Sequence, residues 1–283
     1  MSDDSPSPTD LFKDIDLDRY RVKHGAIVDL AKIDPQETSA FDGSRDEAQE
    51  RFKALLERLD TLQELLFAEN KHRVLIVVQA MDCGGKDGVI SSVFEGVDPA
   101  GVNVASFKVP SSVEIAHDYL WRVHPHVPGN GEMTIFNRSH YEDVLIVRVL
   151  ELVPEARWSK RYDHIKAFEQ LLVDEGTTII KFFLHITKDE QAERLRDRIA
   201  KPQKRWKFKM GDLETRKRWD DYMKAYEVAI GRTSTADAPW YVIPANRNWY
   251  RDLMCISILV RALENLAMAY PEVEAGVEGV VIE

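Results

Sequence analysis

Cysteine is nearly missing from this chain. Its 283 residues hold two, Cys83 and Cys255, too few for a disulfide framework or a cysteine-rich zinc site. Reduced thiols in a cytosolic setting are the simplest expectation. Long apolar runs are missing too: no stretch of about 18 apolar residues exists, so no membrane span is expected. The first ten residues, MSDDSPSPTD, lack the basic and apolar regions of a signal peptide. A soluble, cytoplasmic protein is the expectation. Positive charge is in deficit, 38 Lys and Arg against 48 Asp and Glu, for a net charge of −10. That balance argues against a general nucleic-acid or membrane-surface binder.

The average conceals a reversal. Residues 194–218 contain eleven Lys/Arg against three Asp/Glu, a local charge of +8 that leaves −18 on the remainder. A basic island in an acidic protein points to an anionic ligand at one place. Hydrophobic residues make up 44% of the chain, enough for a substantial core, so a disordered chain is excluded.

Residues 1–44 are rich in Asp, Pro and Ser and read as a flexible start followed by an irregular arm. From Arg45 to Glu69, Phe52, Leu55, Leu56, Leu59, Leu62, Leu65 and Leu66 recur at helical spacing. That helix is expected to pack on the main domain, with a dimer seam as the alternative. Five strand candidates follow, at 73–79, 102–107, 132–136, 178–186 and 240–243. Helical segments separate them at 86–95, 112–124, 140–152, 160–175 and the long stretch 188–231, and 248–269 closes the series. Thr187 and Glu190 have the spacing of a capping box. Strand–helix alternation of this kind predicts a parallel sheet in one α/β domain with an N-terminal helical extension.

The stretch VVQAMDCGGKDGVI, residues 77–90, sits between the first strand and a helix, where a phosphate loop belongs. The usual template has glycine at each end, then lysine, then serine or threonine. Here Ala80 holds the first glycine position and Asp87 stands where the hydroxyl should be. Gly84 and Gly85 let the backbone curl so that N–H groups converge on an anion, and Lys86 supplies a point charge. The missing hydroxyl normally holds magnesium; Asp82 and Asp87 are the nearby carboxylates suited to replace it. The alternative is an ordinary strand-to-helix turn with Lys86 solvated.

At the end of the third strand comes IFNRSHYEDV, residues 135–144. Ligands in open α/β sheets bind beyond the carboxyl ends of strands, so Asn137 and Arg138 are expected in the same crevice as Lys86. Arg138 suits bidentate phosphate binding. His140, Glu142 and Asp143 either contact nucleotide or charge-match a first helical turn; for His140 the structural role is favoured. The basic segment, with Trp206, Phe208 and Trp219 among its cations, reads as a lid over phosphate. A solvated helix face and a single-stranded nucleic-acid surface are its alternatives. Arg247 and Arg251 stay open between phosphate ligands and surface charges.

Together these stretches resemble the polyphosphate kinase 2 family. The similarity runs from about Leu17 to Pro271 through QAMDCGGKDG, FNRSHYEDV, RYDHIKAFEQLL, KFFLHITKDEQ, KRWKFKMGD and APWYVIPANRNWYRD, in that order. It implies a P-loop kinase-like three-layer sandwich, an α/β fold with a five-stranded parallel sheet, over residues 45–271, with a helical lid at about 194–219 and a tail at 272–283. It further implies phosphoryl transfer between inorganic polyphosphate and AMP, ADP or ATP, Mg²⁺, and a homo-oligomer, dimer or tetramer. Carried onto this chain, Asp82, Lys86 and Arg138 are the expected catalytic residues. Gly84, Gly85, Asp87, Gly88, Asn137 and Glu142 are expected to bind phosphate or nucleotide. Lys201, Lys204, Arg205, Lys207, Arg216 and Arg218 would hold the polyanion.

Two positions depart from the broad family pattern. Ala80 replaces a glycine, and Asn137 replaces the aspartate that often precedes the arginine; both resemble the branch able to phosphorylate AMP as well as ADP. Magnesium is therefore assigned chiefly to Asp82 and to phosphate oxygens. The competing functions are an ATP-dependent nucleoside or nucleotide monophosphate kinase and a non-catalytic polyanion- or RNA-binding module.

Overall fold

The computed structural model describes residues 11–277 and 280–282. The expected flexible start at 1–10 lies outside the described residues, as do positions 278, 279 and 283 of the expected tail. Five strands form one parallel sheet: β1 (Arg73–Ala80), β2 (Val102–Ser106), β3 (Met133–Asn137), β4 (Thr177–His185) and β5 (Trp240–Pro244). Their order is β2-β3-β1-β4-β5. The near-continuous apolar runs of β1, β3, β4 and β5 are buried on both faces, as parallel strands require. β2 is an edge strand and leaves most of its side chains exposed or half-buried.

The main helices are α1 (Arg45–Glu69), α2 (Lys86–Val93), α3 (Arg161–Asp174), α4 (Lys188–Ala200), α5 (Met210–Lys217), α6 (Trp219–Thr233) and α7 (Asn248–Glu264). α7 packs against the sheet and α2, α1 packs on α7, and α3 and α6 pack together elsewhere on the sheet. A capping box of Ser44 and Glu47 starts α1, and Asn70 ends it in a left-handed conformation. Leu55, Leu59, Leu62 and Leu66 are buried along one stripe of it. Each contributes about 1.5–3 kcal/mol by leaving water, so α1 belongs to this chain's core. No helix among the described residues is long and apolar enough to cross a membrane.

Three expected helices are interrupted. The segment 112–124 keeps one turn, Ser112–Ile115, because the Asp118 carboxylate takes the N–H groups of Leu120 and Trp121 and holds a non-helical turn. The segment 140–152 splits into a 3₁₀ turn, His140–Asp143, and one α turn, Ile146–Val149. The stretch 188–231 breaks where Pro202 removes an N–H, giving α4, a 3₁₀ turn at Pro202–Lys207, α5 and α6. The capping box at Thr187 is half-formed: its hydroxyl accepts from Glu190 N, but its own N–H donates to Asn246 and the Glu190 carboxylate turns to Arg194.

The arm over residues 11–44 is irregular yet pinned. Val22 N–H donates to Trp240 O at 2.8 Å and Val242 N–H donates to Tyr20 O at 3.0 Å. This antiparallel pairing covers the β5 edge. Nearby, the hydroxyls of Tyr20 and Tyr250 lie 2.6 Å apart, and Ala40 N–H donates to Tyr250 Oη at 3.0 Å. Tyr250→Phe leaves both buried groups short of a partner. It should lower stability by about 1–3 kcal/mol in thermal or urea denaturation; an unchanged midpoint would show that the arm is held elsewhere.

Candidate active site

The chain runs from β1 to β2 and β3 on one side, then crosses to β4 and β5 on the other. In such sheets the crevice for a ligand opens where the order reverses, at the carboxyl end of β1. The residues after β1 build that end. Cys83 (φ +63°) and Gly85 (φ +102°) both take the left-handed region, which coils residues 81–85 tightly before α2 begins at Lys86. A side chain on Gly84 would bring its Cβ within 2.5 Å of Ala80 Cβ, so an alanine at the first template position is accommodated by glycine at 84. A side chain on Gly85 would strike the Arg251 guanidinium, 2.2 Å from Nη1. The first-turn N–H groups of α2 lack intrahelical acceptors and, with the helix dipole, give this end an affinity for anions.

Lys86 is buried, and its ammonium folds back on the loop, donating to Ala80 O at 2.7 Å and Met81 O at 3.2 Å. Burial, with the nearby Arg138 charge, lowers the Lys86 pKa; Asp82, Glu142 and Asp87 oppose that shift. Arg138 follows β3 in a left-handed conformation, φ +62°. Its guanidinium donates to Asp82 Oδ1 at 3.0 Å. Beside them Asn137 Nδ2 donates to Asp87 Oδ1 at 2.8 Å. A non-glycine residue in that conformation costs about 1–3 kcal/mol and persists only where its surroundings impose it. The half-buried Glu142 completes the group; burial raises its carboxyl pKa, with Arg138 and Lys86 pulling the other way. The Gln79 amide, turned to suit its neighbours, donates to Glu142 Oε1 at 3.2 Å and accepts from Ser139 N and Oγ.

The structure thus brings together Asp82, Gly84, Gly85, Lys86, Asp87, Asn137, Arg138 and Glu142. Gly88 is the third residue of α2, where a Cβ would meet Arg251 Nη2 at 3.2 Å. The cations expected to form a lid make most of their bonds within their own segment. Lys201 and Lys204 share the Asp197 carboxylate, Arg205 donates to Ile199 O, and Lys207 lies over its neighbour Trp206. Arg216 bonds Lys188 O and Gln191 Oε1, while Arg218 pairs with Asp221. Among the described residues, Arg196, Arg205, Lys207, Lys209 and Arg216 have no carboxylate within ion-pair distance.

A sequence model of the family described as Polyphosphate kinase 2 (PPK2) matches residues 42–271. The chain belongs to the polyphosphate kinase 2 family. It is 60% identical over 267 residues to the AMP/ADP-polyphosphate phosphotransferase of Meiothermus ruber, covering 94% of this chain and 100% of that one. It is 46% identical to the ADP-polyphosphate phosphotransferase of Rhodopseudomonas palustris, covering 90% and 92%. The solved polyphosphate kinase 2 of Arthrobacter aurescens TC1 superposes with a TM-score of 0.88 at 41% identity, over 97% of this chain and 95% of that one.

Three residues of this polyphosphate kinase 2 border the site without having been singled out from sequence. Arg194 donates to Cys83 O at 3.0 Å and to Ala245 O at 2.7 Å, tying the loop after β1 to the loop after β5. Gln191 Nε2 donates to Asp82 O at 2.9 Å. Asp212, on α5, is pushed above the usual carboxylate range by burial and by the charge of Asp82, and Arg198 stands 3.6 Å from it. Arg251, left open between two roles, is buried at 3% exposure, bonded to Asp252 and Asn248 beneath Gly85 and Gly88. A surface charge it is not. His140 is fully buried in the core, as its structural reading expects.

Proposed function

We propose that this chain transfers the terminal phosphoryl group of inorganic polyphosphate to AMP or ADP, and runs the reverse transfer from ATP. The observation that carries this reading is one end of a parallel sheet on which Lys86, Asp82 and Arg138 converge, with a segment of unpaired cations close by in a family member. A nucleotide phosphate oxygen is already an anionic nucleophile, so transfer needs no general base. Catalysis is then positioning and neutralisation of charge. On phosphate binding, Lys86 exchanges its two loop carbonyls for phosphate oxygens, and Arg138 turns from Asp82 toward the transferring group. Gly85 and the first turn of α2 hold the anion by backbone N–H groups. The segment 194–219 acts as the lid, its free cations lining up along the polyanion, and Glu142 keeps Arg138 oriented.

The donor set suits magnesium. Among the described residues no three His, Cys, Asp or Glu side chains cluster to hold a metal ion by themselves. Mg²⁺ characteristically takes one or two carboxylates and completes its shell with waters and substrate phosphates. Asp82 is the chief ligand in this reading, Asp87 the second choice; Mg²⁺ would supply charge neutralisation across the phosphate oxygens. Asp82→Asn should raise the magnesium concentration needed for half-maximal rate, measured by metal titration at fixed substrate. An unchanged titration curve would move the metal to Asp87.

A cytoplasmic location, with assembly as a dimer or tetramer and with no nucleic acid or membrane among its partners, belongs to the same proposal, supported by the acidic net charge and the two unpaired cysteines. The deciding experiment incubates purified protein with AMP, Mg²⁺ and polyphosphate, without ATP, and follows nucleotides by chromatography. ADP must appear. Product only when ATP is supplied would return the ATP-dependent kinase reading to first place.

A further inference from the structure

We infer that the buried Lys181–Glu169 ion pair is a positioning element for Arg138, acting through His140 and Tyr141. The inference rests on the proposed phosphoryl transfer, in which Arg138 meets the moving group. Lys181 and Glu169 are 0% and 1% exposed, so neither touches substrate. Lys181, on β4, donates to Glu169 Oε2 at 2.5 Å, Tyr141 Oη at 3.1 Å and Thr233 O at 2.8 Å. Its three donors are thereby matched by three acceptors. The other oxygen of Glu169, on α3, accepts from Tyr141 Oη at 2.7 Å and bonds His140 Nε2 at 3.3 Å. One carboxylate therefore grips the two residues that come just after Ser139 on the turn beyond β3.

Arg138 needs that grip. Its left-handed backbone is flanked on one side by the β3 register, where Val78 O accepts from Arg138 N–H at 3.3 Å. On the other side Ser139 is bonded to Gln79 of β1, and beyond it come the short 3₁₀ turn and its two buried side chains, whose positions Glu169 sets. A buried ion pair is a poor stabiliser beside an apolar pair of the same volume, because desolvation offsets its attraction. What it supplies is direction: hydrogen bonds of fixed length set where His140 and Tyr141 sit, where a leucine would let them slide. Thr233, the last residue of α6, also joins the network through Tyr141 Oη at 3.0 Å and Trp240 Nε1 at 2.9 Å. That helix also carries the buried Tyr222 and Tyr226.

The test replaces both partners at once, Lys181→Met with Glu169→Leu, so that no charge is left buried alone. Thermal midpoint, kcat and KM for polyphosphate and ADP are measured in the wild-type and Arg138→Ala backgrounds. The expected result is a folded protein with kcat down roughly tenfold and KM within about twofold, since sub-ångström misplacement acts on transition-state contacts. In the Arg138→Ala background the same pair of changes should cost less than about twofold more, because the contact it serves is already gone. Wild-type kcat in the folded double variant, or losses that multiply with Arg138→Ala, would overturn the inference. If the double variant does not fold, Tyr141→Phe decides. That change removes one hydroxyl and should lower kcat roughly threefold in wild type and not at all beside Arg138→Ala; an unaltered kcat overturns the inference equally. A wild-type protein that makes no ADP from AMP and polyphosphate refutes the proposed function itself, a separate result.

Discussion

Lys86→Ala should lower turnover by about 10²–10³, equivalent to roughly two to four kcal/mol of transition-state stabilisation. The size follows from where the ammonium sits. It is buried, so no bulk water screens its charge, and among the described residues its hydrogen bonds go to Ala80 O and Met81 O of its own loop. Neither carbonyl neutralises it. A phosphate oxygen arriving at the loop therefore meets a cation whose burial has already been imposed by the fold. Loss of that cation leaves the transferring charge to Arg138, Mg²⁺ and the backbone N–H groups at the start of α2 in the proposed site, without the one cation the loop itself supplies. The fold should survive, because the core beneath consists of β1 and α7 residues whose packing does not involve the ammonium. Circular dichroism and a thermal midpoint check this, and near-normal turnover in a folded variant would remove the phosphate-cradle assignment.

The same lysine predicts a pH effect of definite sign. Burial and Arg138 lower its pKa from 10.5. The free enzyme then loses the Lys86 charge at a lower pH than an exposed lysine would. Wild-type kcat/KM should fall on the alkaline side below pH 10.5, since this quantity reports groups of the free enzyme. The limb should be missing from the residual activity of Lys86→Ala.

The parts that were legible in the sequence are those whose cause is local. A β-branched run buried on both faces marks a strand, so all five strands appear within a residue or so of their expected ends. The loop between β1 and α2 is legible because its glycines and lysine must be contiguous. The loop's curvature without the first glycine depends on packing: Gly84 gives the room that Ala80 takes. Illegible parts depend on side chains far apart in the chain. The helix expected at 140–152 fails because Glu169, on α3, draws His140 and Tyr141 inward. Asp212 is inconspicuous inside a basic run, since its nearness to Asp82 arises only when Pro202 breaks the long helix and folds α5 back. Arg251 illustrates the limit of charge counting. Its cation is sealed under two glycines and is silent as a surface feature, whereas Arg205 and Lys207 stay exposed.

Neutralising Lys204, Arg205 and Lys207 together should weaken long polyphosphate far more than a mononucleotide. Arg205 and Lys207 are exposed and have no carboxylate partner among the described residues; Lys204 shares Asp197 with Lys201, leaving that trio one net positive charge. These cations are therefore available to a polyanion. Each phosphate they meet releases condensed counterions, so affinity falls with salt at a slope near 0.7 per contact for a flexible single-stranded polyanion. Three contacts amount to a slope of about two, so a fourfold rise in salt should raise the wild-type KM for polyphosphate by roughly 20-fold more than that of the triple variant. A nucleotide carries few phosphates, which the proposed function places at Lys86, Arg138 and the α2 N-terminus, and its slope should barely change. Michaelis constants of both substrates across a salt series measure this directly. Equal flattening for both substrates would make the segment a nucleotide or structural element rather than a polyphosphate track. The exposed Trp206 sharpens the comparison. Lys207 lies 5.2 Å over its ring, so part of that charge is already engaged by the ring in the free protein. Arg205 should then account for more of the slope than Lys207 when the two are neutralised singly.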